Sequence, residues 1–244
     1  MHPENMKSSA ITIVTVLGIM LGAVPIASAQ NIKCTGTISD GSTIDSNLIV
    51  PANASCTLKS VTVNGNVSVG AGASLAVEAF NGQTVTVNGN LTANQCKFVD
   101  LLASLPPFFQ PGTILVAGNV TIQNCPGGGS FRGPTVTING NFVCTNSSSV
   151  CSAVDGVVQG NVTEDDNGTS AVLGGASVVG DQISGNVDVS GNTGHDRAAL
   201  VSNNTINGNL TCFDNTTDIA APPVSDNGVP NTVSGTKQGQ CANL

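Results

Sequence analysis

The chain contains no tryptophan and no tyrosine, and only 9% of its residues are charged. Seven Lys and Arg stand against fifteen Asp and Glu, for a formal net charge of −8. So few cations cannot form a basic stripe, which excludes electrostatic binding of nucleic acid and disfavours attachment to anionic lipid. The missing Trp and Tyr remove the aromatic platforms on which sugar-cleaving grooves usually hold their substrates. Histidine is nearly absent too: His2 and His195 are the only two. With no C-x-x-C motif, a zinc site has no ligand set. The Val/Thr/Asn/Gly composition disfavours helices.

What is abundant is a repeat. Val63-Asn64-Gly65-Asn66-Val67 returns as Val87-Asn88-Gly89-Asn90-Leu91, Val116-Ala117-Gly118-Asn119-Val120 and Ile138-Asn139-Gly140-Asn141-Phe142. It continues as Val158-Gln159-Gly160-Asn161-Val162, Ile183-Ser184-Gly185-Asn186-Val187 and Ile206-Asn207-Gly208-Asn209-Leu210. Weaker copies flank the set at Asn47, with Ser for Gly, and at Thr236, with Thr for Asn. Along this column the spacings are 19, 24, 29, 22, 20, 25, 23 and 27 residues. A period of this length signals one supersecondary unit stacked on its neighbours.

Apolar residues fall at −3, +1 and often +3 from the Asn, with Thr or Ser at −4 and +2. Such alternation gives a strand on each side of a tight bend, with one face inward. The Gly is expected to supply positive φ at the bend, and the Asn to stack in a ladder from coil to coil. The expectation is an all-β, single-domain parallel β-helix (β-solenoid) of about nine coils, right-handed. A β-sandwich rich in Gly-Asn hairpins would explain the bends, but not the fixed inward columns.

Residues 1–29 carry the pattern of a secretory signal peptide: Lys7, an apolar run over Ala10–Val24, then Ala27-Ser28-Ala29 before the cleavage site. The β-helix domain then spans 30–244, and no stretch of the mature chain is apolar enough to span a membrane. All eight cysteines follow the leader, an even number in an exported chain, which implies disulfides. Cys96 and Cys125 both lie six residues after their Asn, on adjacent coils. Pairing between neighbours is expected: Cys34–Cys56, Cys96–Cys125, Cys144–Cys151 and Cys212–Cys241.

The longest coil carries an apolar insertion at about 97–112. It is expected to begin as a short helix and to form a flap, whose Phe98, Leu101, Leu102, Phe108 and Phe109 offer a possible contact surface. Glu164, Asp165 and Asp166 form an acidic loop that meets a calcium-binding pattern only in part. Gly194-His195-Asp196-Arg197 gathers an imidazole, a carboxylate and a guanidinium, but neighbours on a strand point to opposite faces. Asp155 and Asp181 lie six and five residues before their Asn, near enough in register to stack as a carboxylate pair. Arg132, Arg197 and four mature lysines read as scattered over the coils. Thr62, Thr86, Thr137 and Thr205 share one column, and Thr92, Thr121, Thr163 and Thr211 another. Flat Thr arrays can bind ice, although both columns are interrupted.

The Gly-Asn-Val/Leu repeats, together with the closing stretch Asn231 to Cys241, resemble a group of uncharacterised exported bacterial β-helix proteins. The resemblance covers roughly residues 34 to 241 and implies a fold and export, without an activity. The sequence therefore suggests a secreted or cell-surface solenoid with a structural or adhesive role. It would bind a cell-surface glycan or protein partner, or associate with itself, using no cofactor and no catalytic residue. The alternatives are a carbohydrate-binding or pectate-lyase-like carbohydrate-cleaving β-helix and, less prominently, an ice-binding solenoid.

Overall fold

Every repeat unit contributes a strand ending at the Gly-Asn corner and another leaving it, and between corners the chain lays down a third. The computed structural model describes residues 31–39, 41–103, 110–168 and 175–244. The proposed leader, Phe108 and Phe109 lie outside these residues. Three parallel sheets wall the solenoid, with ten, nine and nine strands. Sheet 1 holds the strands that follow the repeat Asn, from Ile32–Lys33 to Lys237–Gly239. Sheet 2 runs from Thr37–Ile38 to Val224–Ser225, and sheet 3, whose strands enter the Gly-Asn corner, from Thr43–Ile44 to Thr232–Val233. Among the described residues all sheet pairing is parallel, and the one antiparallel contact is an isolated bridge between Phe80 and Pro111. This disposes of the sandwich. The solenoid completes about eight turns, slightly fewer than expected. At the first coil Ile32–Lys33 is exposed, while Cys34 and Ile44 join the core.

Both inward columns read from the sequence are buried. Val63, Val87, Val116, Ile138, Val158, Ile183 and Ile206 line sheet 3, while Val67, Leu91, Val120, Phe142, Val162, Val187 and Leu210 line sheet 1. Sheet 2 completes the core with Leu58, Leu75, Val99, Phe131 and Val201, and the Phe131 and Phe142 rings meet edge to face at 4.9 Å. All four expected disulfides are present, with Cα separations of 4.6 to 5.9 Å. These fall within the span a disulfide bridges without backbone movement.

Two local expectations fail. No repeat glycine has positive φ; left-handed residues sit at the other corners, among them Asn53, Gln95, Asn124, Asp155, Asp166 and Asn203. Glycine is required at the repeat because a Cβ would collide with the preceding coil. At Gly140 it would come within 2.5 Å of the Asn119 carboxamide oxygen and 2.7 Å of the Gly118 carbonyl. The insertion, in turn, does not begin as a helix. Phe98–Leu102 is a sheet 2 strand paired with Ser74–Glu78 and Gly129–Arg132, because its alternating Val99 and Leu101 fit the core. Leu101 is fully buried and cannot be a contact residue, whereas Phe98 and Leu102 are half-buried. The Gly112 N–H donates to the Ala103 carbonyl at 2.9 Å, and the Gln110 carbonyl accepts the Asn81 N–H at 2.8 Å.

Candidate functional site

Three features deserve a site's scrutiny: the amide ladders, a pair of enclosed carboxyls, and a groove holding both arginines. The outer ladder climbs the corner between sheets 3 and 1. The Asn47 carboxamide oxygen accepts the backbone N–H of Asn66 at 2.9 Å, and Asn66 serves Asn90 at 2.8 Å. The pattern continues through Asn119, Asn141, Asn161, Asn186 and Asn209 to Thr236. Side-chain amides add longer rungs, such as Asn90 to Asn66 at 3.3 Å. The Thr columns do line up, Thr43, Thr62 and Thr86 being register partners. Leu115, Val157 and Gln182 interrupt the column further along.

Two further ladders are buried, and both went unread in the sequence. At the corner between sheets 1 and 2, Asn192 accepts from the Asn167 N–H at 3.0 Å and Asn215 from the Asn192 N–H at 3.1 Å. Their amide groups donate to the Glu164 and Val189 carbonyls at 2.7 Å. At the corner between sheets 2 and 3, Asp181 accepts the Gly156 N–H at 2.7 Å, Asn204 that of Asp181, and Asn231 that of Asn204. A signal did exist. Asn167, Asn192 and Asn215 share the offset of six from the repeat Asn that aligned Cys96 with Cys125.

Asp181 occupies an asparagine's place in its ladder. Asn204 and Asn231 each donate an amide N–H to a sheet 2 carbonyl, Val178 and Val201, at 2.8 Å. The matching Asp181 oxygen, Oδ2, has no partner. Burial pushes this carboxyl up to about 8; the Gly156 N–H opposes the shift and the Asp155 carboxylate adds to it. Glu164 extends from a core position of sheet 1, between Cys144 and Val189 in register. Its Oε2 accepts the Ser177 N–H at 2.7 Å, while Oε1 is unpartnered. Burial raises its pKa well above the ordinary carboxylate range; the Ser177 bond opposes this and Asp181 adds to it. Burial thus favours the neutral form of both carboxyls, and the wall encloses them where no soluble substrate reaches.

The remaining candidates come apart. Strand alternation sends Glu164 inward and leaves Asp165 half-buried and Asp166 exposed, so the three do not converge on a calcium ion. Burial raises the Asp165 pKa, with Asp166 and Asp188 adding to it. Asp155 and Asp181 do not stack, since Asp181 aligns with Gly156 and Asp155 is exposed. His195 Nδ1 meets Asp196 Oδ1 at 2.8 Å in solvent, while the Arg197 guanidinium turns away to Asn227 Oδ1 at 3.0 Å. No family model, curated protein or solved structure matches the chain, so a functional reading rests on the geometry of these surfaces.

One expectation is reversed to more effect. Arg132 and Arg197, the chain's two arginines, are not scattered. Both line one groove of about 160 Å³ on the outer face of sheet 2, with Val150, Ser152, Val154, Ala176, Ser177 and Leu200 between them. Sequence could not show this, because 65 positions separate residues that stacking brings to one face. Among the described residues no helix is long and apolar enough to cross a membrane.

Proposed function

We propose that the protein is an exported structural or adhesive surface solenoid that works by contact and carries no catalytic centre. The observation that supports this most directly is where the reactive groups lie. The two carboxyls with the most altered acidity are enclosed in the wall, and His195 stands in solvent beside Asp196 alone. The exterior is a regular array of amide and hydroxyl columns, suited to extended contact. Four disulfides favour an oxidising compartment, in keeping with the leader at 1–29 and with the resemblance to exported bacterial β-helix proteins.

The arginine groove favours a second reading, carbohydrate binding, over cleavage. The test is purified mature protein on a glycan array and on polysaccharide substrates, with and without calcium. Retention on glycans or cells with no new reducing ends is expected. Cleavage that is lost on His195→Ala would overturn the contact reading. Loss on Asp181→Ala would not count, because that side chain is part of the fold.

A further inference from the structure

The groove on sheet 2 has a composition that a purely structural wall does not require. The chain has fifteen Asp and Glu but only two arginines, and both arginines line this one groove. None of the described residues that line it is acidic. Among the described residues neither guanidinium has a carboxylate partner: the ion pairs are Lys59 with Glu78 and His195 with Asp196. Arg197 donates instead to the side-chain oxygen of Asn227, which fixes its position without pairing its charge, and Asp196 lines the adjoining recess. In a chain with so much acid to spare, two unpaired guanidiniums on one surface form a locally positive site.

Register gives the groove its shape. Arg132 ends the strand Gly129–Arg132, and the next coils supply Cys151–Val154 and Ala176–Val179. Arg197 lies just before Ala199–Ser202, the strand that follows. The arginines thus belong to coils three strand spacings apart, about 14 Å. Ser152 and Ser177 are register partners in the middle, and Val150, Val154 and Leu200 provide apolar surface between the two charges. The central coils put small side chains at the groove's floor, Ser152 buried and Ser177 half-buried.

We infer that this groove binds an acidic saccharide, with Arg132 and Arg197 taking its oxyanion substituents, the serine hydroxyls its ring hydroxyls, and the Val/Leu surface its apolar ring face. The guanidinium's planar fork suits both a carboxylate and a sulfate. The inference names the ligand chemistry that the adhesive reading leaves open, and rests on that reading only for presentation of the saccharide on a surface.

The experiment is calorimetric titration of the mature protein with a uronate tetrasaccharide, a sulfated tetrasaccharide and a neutral glucose tetrasaccharide. Binding of one or both acidic probes, weakening as salt rises, and none of the neutral probe is expected. The preferred acidic probe tells carboxylate from sulfate. Arg132→Gln and Arg197→Gln should each weaken binding about tenfold, the scale of one charge-assisted hydrogen bond, with an unchanged melting temperature. Leu200→Asp puts a carboxylate in the groove while keeping both guanidiniums, and should abolish binding. Equal affinity for the neutral probe, no binding of either acidic probe, or full binding by the double arginine variant would overturn the assignment. If acidic saccharides bind as expected but the double variant still adheres to cells, the groove stands and adhesion lies on another wall. If the bound saccharide is cut, the groove stands and the contact reading fails.

Discussion

At the scale of single residues, the same amide does different work on the two sides of the wall. Asn119 in the outer ladder and Asn192 in the buried one each accept a backbone N–H from an adjacent coil, at 2.8 and 3.0 Å. Asn119→Ala exposes the Asn141 N–H to water and should cost only about 1 kcal/mol. Asn192→Ala strands the Asn167 N–H and the Glu164 carbonyl in a dry corner, and should cost about 2–4 kcal/mol. Urea denaturation of the two variants compares them directly; equal costs would mean that water reaches the inner ladder. Asp181 is the exception in this pattern. Unfolded, its carboxyl titrates near 3.8, but in the fold it holds its proton up to about 8. Between those values the folded state binds more protons than the unfolded one, so stability is greatest in acid, falls as pH rises across that window, and levels off above it. Asp181→Asn restores an amide that can donate to sheet 2 as Asn204 does. It should raise stability at pH 7 by a few kcal/mol and flatten the slope between pH 4 and 8. An unchanged pH profile would show that Asp181 is ionised in the fold.

At the scale of the coil, steric exclusion explains the repeat better than backbone conformation does. Gly140→Ala should destabilise by about 1–3 kcal/mol, since the groups its Cβ would strike are a backbone carbonyl and a ladder oxygen held from both sides. Thermal denaturation checks this, and a neutral effect would mean the corner can open. The Cys96–Cys125 bridge closes a separation of 29 residues and the Cys144–Cys151 bridge only 7. Loss of the first should therefore cost more, about 3–4 against about 2 kcal/mol. Replacing Cys96 and Cys125 by Asn should be milder than replacing them by Ala, because later coils place Asn at that offset. Sheets 1 and 3 were legible from sequence, since Gly-Asn marks where their strands meet and the apolar alternation runs outward from it. Sheet 2 was not: strands such as Phe98–Leu102 carry no shared tag and lie at variable distances from the corner. Glu164 was misread for a related reason. It stands at +3, a column otherwise held by residues such as Ile122 and Val189, and its acidic neighbours made it look like part of a loop.

At the scale of the whole molecule, stacking makes the solenoid nearly one-dimensional, each coil held by the coils on either side. Its two halves are built differently. From Cys34 to Cys151, two disulfides join neighbouring coils and a third, Cys144–Cys151, ties two sheets within one coil, all around an apolar core. Beyond Cys151 the interior takes in Glu164, Asp181 and two amide ladders, with one bridge at the far end, Cys212–Cys241. Ionising Glu164 and Asp181 would place two buried like charges in the coils between residues 156 and 204, which hydrogen bonds to Ser177 and Gly156 only partly offset. Those coils should open locally before the chain as a whole unfolds. Hydrogen exchange at pH 5 and pH 9, corrected for the intrinsic rate, should reveal faster opening at the higher pH in sheets 2 and 3 around residues 176–206. The strands of residues 62–102 should stay protected, and Asp181→Asn with Glu164→Gln should remove the difference. Uniform loss of protection along the chain would show that the coils unfold as a single cooperative unit and that the buried acids set no weak point.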